Sequence, residues 1–342
     1  MCRRASPPSA PWARSVPSIR SVPKTVRRDY DVAMRADPGP NDHVRDRIAA
    51  LLGTRVIDAR SPVGGYTPAQ RWIVTLADGR TAFAKTGIEV ETSRVATWLR
   101  TEHRAYTDIH EAFMPRVLGW DDTDEQPLLL LEDLSGAHWP PPWSPEHIGA
   151  IEAMLESVAR TTPPEWVDDL ETRERPHLSG WARVQQDPER FLGLEICTEA
   201  WLARHIDTLL KIGVSAVLSG ESLVHFDVRS DNLCLIQAHG ALAPKIIDWN
   251  HLGRGSAEVD RVLWLSSLQR EGGPPPWELV PDSRGISALL SGYFAAQAGL
   301  PPIPTAPGVR NLQREQLDVV LHWAIRELGL EPLDGVQARS TQ

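Results

Sequence analysis

The sequence predicts an α+β chain of two lobes, a small β-rich lobe followed by a larger, mainly helical one. Three observations predict it. Two β-prone runs, residues 71–76 and 81–85, flank Asp78-Gly79, a strong hairpin signal. Four successive leucines, residues 128–131, read as a short buried strand that leaves into Glu132-Asp133-Leu134-Ser135-Gly136. Beyond residue 144, apolar residues recur mostly at helical spacing.

In chain order, the first 33 residues are rich in Pro, Ser and Arg, lack a core-forming pattern and carry +5 from seven Lys/Arg and two Asp. That composition predicts a disordered tail over residues 1–40. Arg3-Arg4 is not followed by the long apolar stretch of a twin-arginine export signal, and Met34 is expected to be the true start. A helix is predicted over residues 42–52, capped by Asn41, with Val44, Ile48, Leu51 and Leu52 inward and Gly53 as its stop. After the hairpin, Val95, Trp98, Leu99, Ala105 and Tyr106 mark one face of a helix over residues 94–106. The helical lobe begins after the Trp139-Pro140-Pro141-Pro142-Trp143 loop. There Ser144 caps a helix starting at Pro145, whose face is Ile148, Ile151, Leu155 and Val158. Further helices are predicted over residues 200–212, 286–298 and 311–328, the last stopped by Gly329. Asp260 is expected to open another apolar helix as a cap or as a brace for a neighbouring loop, with Trp264 and Trp323 on core faces. No internal repeat is apparent.

Composition narrows the function class. With 342 residues and 42% hydrophobic content, the chain can bury a sizeable core. No apolar run approaches the ~20 residues that cross a bilayer. Cys2, Cys197 and Cys234 are few, odd in number and far apart, which suggests neither a disulfide framework nor a zinc cluster and fits a reducing cytoplasm. Removing the tail's +5 from the formal −9 leaves −14 on the body. An acidic body argues against nucleic acid as a partner and is compatible with a small cationic one.

The chemistry concentrates in residues 223–233 and 246–249. Asp227 and Asn232 are five positions apart, and Asp248 follows the apolar pair Ile246 and Ile247. Taken singly, each could be turn chemistry, since Asp and Asn often satisfy nearby backbone groups. Taken together, between the strand-like flanks 233–235 and 245–247, they form a carboxylate and amide cluster suited to a metal. His225 is expected to brace the loop rather than act as a base, and Asp231 to do no chemistry. A competing reading makes His225, Asp227, Asp248 and His251 the ligands of a metal hydrolase.

His225-Phe226-Asp227, with Asp248-Trp249 downstream, resembles the aminoglycoside phosphotransferase family rather than protein kinases, which have His-Arg-Asp and Asp-Phe-Gly at these places. The resemblance covers about residues 55–330. It implies a protein-kinase-like two-lobe fold, with residues 41–134 as nucleotide lobe and hinge and 135–342 as helical lobe. It implies that Asp227 receives the proton of a hydroxyl and that Asn232 and Asp248 hold Mg2+. Lys85 would pair with the phosphates of ATP or GTP, and Glu102 would hold Lys85, since Glu89 and Glu91 lie too close to the strand end. Gly64 and Gly65 offer only a weak phosphate loop, without G-x-G-x-x-G. Glu132, Asp133 and Leu134 would meet the purine mainly through main chain. The acceptor would be a small hydroxyl-bearing molecule, an aminoglycoside-like antibiotic or a metabolite. Residues 139–143 and 271–277 could line its pocket or serve as surface connections. The altered glycine loop also motivates a different reading, a catalytically silent kinase-like protein that binds a ligand or partner.

Overall fold

The computed structural model of the protein describes residues 39–62, 69–87, 92–122, 126–238, 240–304 and 306–335. The expected tail with Met34, the Gly64-Gly65 pair, Glu89 and Glu91 lie outside the described residues. Helix α1, Asp42–Leu52, begins where the Asn41 side chain accepts the Val44 N–H at 2.9 Å and ends at Gly53, whose φ of 74° is left-handed. Five strands follow: β1 Val56–Arg60, β2 Gln70–Leu76, β3 Thr81–Thr86, β4 Val117–Asp121 and β5 Leu128–Leu131. They form one antiparallel sheet in the order β1-β2-β3-β5-β4. Helix α2, Thr92–Asp108, lies between β3 and β4 in sequence.

The leucines of β5 fix this sheet between the two helices. Successive strand side chains point to opposite faces. Leu128 and Leu130 therefore join Val44 and Ile48 of α1 with Trp72 and Val74, whereas Leu129 and Leu131 join Val95 and Leu99 of α2 in the main core. Helix α1 comes close enough that a Cβ on Gly119 would stand 3.2 Å from both Leu51 Cβ and Leu130 Cδ1. Truncating any one of these buried leucines to alanine would cost about 2–5 kcal/mol.

The helical region contains α3 Pro145–Arg160, α4 Leu170–Leu178, α5 Gly180–Gln186, α6 Glu189–Leu192 and α7 Glu199–Ser215. It continues with α8 Glu258–Arg270, α9 Pro276–Leu279, α10 Ile286–Ala298 and α11 Val309–Leu328. Ser144 caps α3 through the His147 N–H at 3.2 Å. Helix α10 is the hub, packed against α5, α7 and α11. Its crossing with α5 requires glycine on both sides, because a Cβ on Gly180 would lie 1.8 Å from Gly292 O. Trp264 and Trp323 are buried in the main core as expected. Asp260 takes the second of its two expected roles: it is the third residue of α8 rather than its cap, the cap position being Ala257, and its carboxylate braces the loop at His225 and Phe226. Four short strands, β6 Ser222–Val224, β7 Leu233–Ala238, β8 Ala241–Ile246 and β9 Gly253–Gly255, pair as β6 with β9 and β7 with β8.

Candidate active site

Strand register assembles the site. In the β7–β8 hairpin Leu233 faces Ile246, and one step further the Ile247 N–H donates to Asn232 O at 3.0 Å. Asn232 and Asp248 thus emerge at the same end of one hairpin. Strand β6 delivers the chain to His225-Phe226-Asp227, and β6 itself is held by β9, just beyond Asp248. Phe226 takes a left-handed φ of 66°, which is costly for a bulky residue and must be held from outside. Asp260 holds it: its carboxylate accepts the His225 N–H at 2.7 Å and the Phe226 N–H at 2.8 Å.

His225 braces the same turn, as the sequence suggested. Its Nδ1 accepts the Asp227 N–H at 3.2 Å, so Nε2 carries the proton and donates to Ile247 O at 2.9 Å. Burial pushes its pKa down to about 4, so the ring is neutral at pH 7. Burial also pushes Asp260 up to about 7, against the pull of its two backbone donors.

Lys85 of β3 stands between two carboxylates. Its Nζ donates to Glu102 Oε2 of α2 at 2.7 Å and to Asp248 Oδ1 at 2.6 Å. Tyr106, one turn along α2, donates its hydroxyl to Glu102 Oε1 at 2.8 Å and accepts the Asp248 N–H at 3.1 Å. Burial works against the lysine's charge, but Asp248 and Glu102 outweigh it and raise its pKa. Burial likewise works to raise Asp248, yet Lys85 and Arg71 hold it well below the usual carboxylate range.

Asp227 sits in a second charged group. Its Oδ2 accepts from Asn232 Nδ2 at 3.1 Å, and its Oδ1 accepts from Arg229 Nη1 at 2.5 Å. Arg229 also donates from Nε and Nη2 to Asp231, at 2.9 and 3.1 Å. Arg229 is extended, with φ −140° and ψ 160°, at the cap position of the single 3₁₀ turn Ser230–Asn232. Burial lifts the Asp227 carboxyl to about 6 although Arg229 pulls it down. A carboxylate with that value can accept a proton close to neutral pH.

The donor set suits a hard divalent cation. With Nδ2 spent on Asp227, Asn232 turns its carbonyl oxygen the other way, and Asp248 keeps one oxygen off Lys85. Amide and carboxylate oxygens of this kind are magnesium ligands. The hydrolase alternative is not assembled: both ring nitrogens of His225 are engaged, and among the described residues no three His, Cys, Asp or Glu side chains converge to hold a metal.

Around these clusters the remaining expected residues fall as follows. Glu132 donates its N–H to Arg116 O, and Leu134 O accepts from Ala137 N and Trp139 Nε1. The Glu132 carbonyl and the Leu134 N–H have no partner among the described residues, so this stretch retains one acceptor and one donor. Asp133 caps its own turn by accepting the Ser135 N–H at 2.8 Å. The two aromatic loops meet each other: Trp143 Nε1 donates to Glu271 Oε2 at 2.8 Å, and Ser230 Oγ donates to Glu271 Oε1. Arg229, Tyr106 and Glu271 were missed in the sequence. Of these, only Arg229 had a readable signal, the Asp-x-Arg-x-Asp alternation.

A family model described as the phosphotransferase enzyme family matches residues 60–304. No curated protein matches the chain. Among solved structures, the chain is similar to an aminoglycoside-3'-phosphotransferase of type VIII at 19% identity, over 81% of this chain and 100% of that one, with a TM-score of 0.44. A type I macrolide 2'-phosphotransferase matches at 15% identity, over 85% and 94%, with a TM-score of 0.45. A macrolide 2'-phosphotransferase from Brachybacterium faecium matches at 13% identity, over 88% and 96%, with a TM-score of 0.42.

Proposed function

The chain belongs to the phosphotransferase enzyme family, with a protein-kinase-like two-lobe fold, and is a small-molecule phosphotransferase; on that premise we propose that it moves the γ-phosphate of ATP, with GTP as the alternative donor, to a hydroxyl of a small acceptor in a magnesium-dependent reaction. The observation that carries this reading is Lys85, joined at 2.7 Å to Glu102 and at 2.6 Å to Asp248. A buried lysine tied to a helix carboxylate beside a metal-type Asp is the arrangement phosphate positioning needs.

In this reading residues 41–134 form the nucleotide lobe and hinge, with Glu132 O and Leu134 N–H offered to the base. Lys85 has three N–H bonds and spends two on Glu102 and Asp248, which leaves the third for a phosphate oxygen. Asn232 and Asp248 would hold Mg2+, which when bound supplies positive charge against the phosphate oxygens. Asp227 orients the acceptor hydroxyl and takes its proton, held in place by Asn232 and by the turn that Asp260 fixes. Catalysis then rests on geometry and electrostatics. The body's −14 favours a cationic acceptor over an anionic one. No helix among the described residues is long and apolar enough to cross a membrane, and both described cysteines are buried and unpaired, which supports a cytoplasmic enzyme.

Thermal unfolding of the purified protein with ATP or GTP, with and without Mg2+, tests the donor site. Stabilisation that requires Mg2+ and disappears in Asp248→Ala is the expected result. No stabilisation of the wild type by either nucleotide would refute the reading.

A further inference from the structure

We propose that Glu271 is a positioning residue: through Trp143 and Ser230 it ties the hinge segment to the turn that carries Asn232, and so sets how strongly Mg2+ tightens nucleotide binding. The proposal rests on the reading above, in which residues 132–134 meet the base and Asn232 holds Mg2+.

A carboxylate is costly at this position. Glu271 is 8% exposed and occupies the C-cap of α8, where the helix dipole presents its negative end. Burial raises its pKa against the pull of Ser230, Trp143 and Arg270. What offsets these costs is a set of donors from separate parts of the chain. Trp143 Nε1 donates to Oε2 at 2.8 Å from 128 positions away, and Ser230 Oγ donates to Oε1 from 41 positions away. Arg270 Nη2 adds a donor to Oε1 at 3.1 Å, and Ser267 Oγ stands 3.5 Å from the same oxygen. An indole N–H can only donate, so the Trp143 bond requires an acceptor here.

Both donors lead to the proposed site. Ser230 opens the 3₁₀ turn Ser230–Asn232, and its own N–H donates to Ser267 Oγ at 3.3 Å. Residue 230 is therefore fixed to the end of α8 by main chain and side chain, two positions before Asn232. The start of α8 holds the other end of the loop through Asp260, on His225 and Phe226. Trp143 leads the opposite way. Pro140, Pro141 and Pro142 separate it from Trp139, and each ring locks φ, so the segment is stiff. Trp139 Nε1 donates to Leu134 O at 2.9 Å, and His138 exchanges both backbone hydrogen bonds with Leu235 of β7 at 2.9 Å. Hydrogen bonds and prolines thus run without a gap from Leu134 in the hinge to Glu271 and on to Ser230. This path shares no residue with Lys85, Glu102 and Asp248.

Calorimetric titration of the full chain with AMP-PNP, with and without Mg2+, reads the effect. Wild type is expected to bind AMP-PNP more tightly with Mg2+, and the ratio of the two affinities isolates the magnesium contribution. Glu271→Gln, which puts an amide NH2 against one of the two donors, should lower that ratio about tenfold and leave Mg2+-free binding within about twofold. Ser230→Ala should match it. Trp143→Phe keeps an aromatic ring beside Trp264 and should lower the ratio about fivefold, the worth of one hydrogen bond. Both bonds act through one carboxylate, so Ser230→Ala combined with Trp143→Phe should lose less than the product of the two single losses. These two small variants carry the test if Glu271→Gln fails to fold. A wild-type ratio in Glu271→Gln or in Ser230→Ala overturns the proposal. So does an equal loss with and without Mg2+, which is what a residue that only supports the fold would give. A Trp143→Phe protein with the wild-type ratio, or losses that multiply in the double variant, overturns the tie to the hinge. A wild type whose affinity does not change with Mg2+ overturns the magnesium reading itself, and is seen before any variant is compared.

Discussion

Two groups in this molecule have the same formula, one cation between two carboxylates, and differ in everything else. Lys85, Glu102 and Asp248 come from β3, α2 and the segment after β8, with side-chain exposures of 7%, 2% and 14%. Asp227, Arg229 and Asp231 come from five consecutive residues of one loop, with exposures of 24%, 15% and 27%. The first group ties the sheet lobe to the helical lobe; the second ties a loop to itself. Long-range charge clusters without water carry both fold and chemistry, whereas a local one near solvent can be altered with much less effect on the fold.

The largest expected effect is on turnover. Asp227→Ala should lower kcat by ~10²–10⁴-fold while Mg-nucleotide binding, read by titration, is largely kept. Comparable activity in variant and wild type would remove Asp227 as the base. Stability should divide the two groups in the opposite sense. Lys85→Met leaves Glu102 and Asp248 buried without their cation, and breaking such a pair costs about 3–5 kcal/mol. Arg229→Met leaves two carboxylates that water can reach, for a cost of about 1 kcal/mol. Urea unfolding at constant m-value measures both. Equal losses would show that burial does not separate the clusters.

The same contrast explains what the sequence could disclose. The β2–β3 hairpin, the ends of α1 and the spacing of Asp227, Asn232 and Asp248 are local patterns, and the chain folds them where they were expected. A strand end at Lys85 and a helix face around Glu102 are local signals, but their pairing was legible only through the family resemblance. The bond from Lys85 to Asp248 spans 163 positions and leaves no trace in either neighbourhood. Asp260 stayed open between cap and brace for a related reason: an Asp near the start of an apolar helix fits either role, and only the fold reveals that its oxygens serve residues 34 and 35 positions away. Helix α4 was invisible because it contains Pro176 and buries only Leu170 and Leu178, its two ends, so it has no apolar stripe. The expected Gly64-Gly65 loop lies outside the described residues, and the two loops at 139–143 and 271–277 turn out to be tied to each other through Trp143 and Glu271.

The smallest effect concerns pH and isolates the turn under Asp227. His225 is held near 4 in the folded protein against 6.5 for the free group, so its share of stability is full above pH 6.5 and is lost as pH falls toward 4. Asp260 is lifted from 3.8 to about 7, so the folded protein binds the extra proton and its share is lost as pH rises through the same range. They amount to about 3 kcal/mol for His225 and about 4 kcal/mol for Asp260 at most, and the two have opposite sign. Between pH 4 and 6.5 they nearly cancel in the wild type. Removing one should expose the other. His225→Gln is expected to become more stable relative to wild type as the buffer is made more acid, and Asp260→Asn less stable. Asp260→Asn also replaces one of the two side-chain oxygens that accept backbone N–H groups, but that adds a constant offset rather than a slope. Denaturant midpoints across that range read the two slopes directly. Parallel curves for both variants would mean that the titrations of His225 and Asp260 are not what balances this turn.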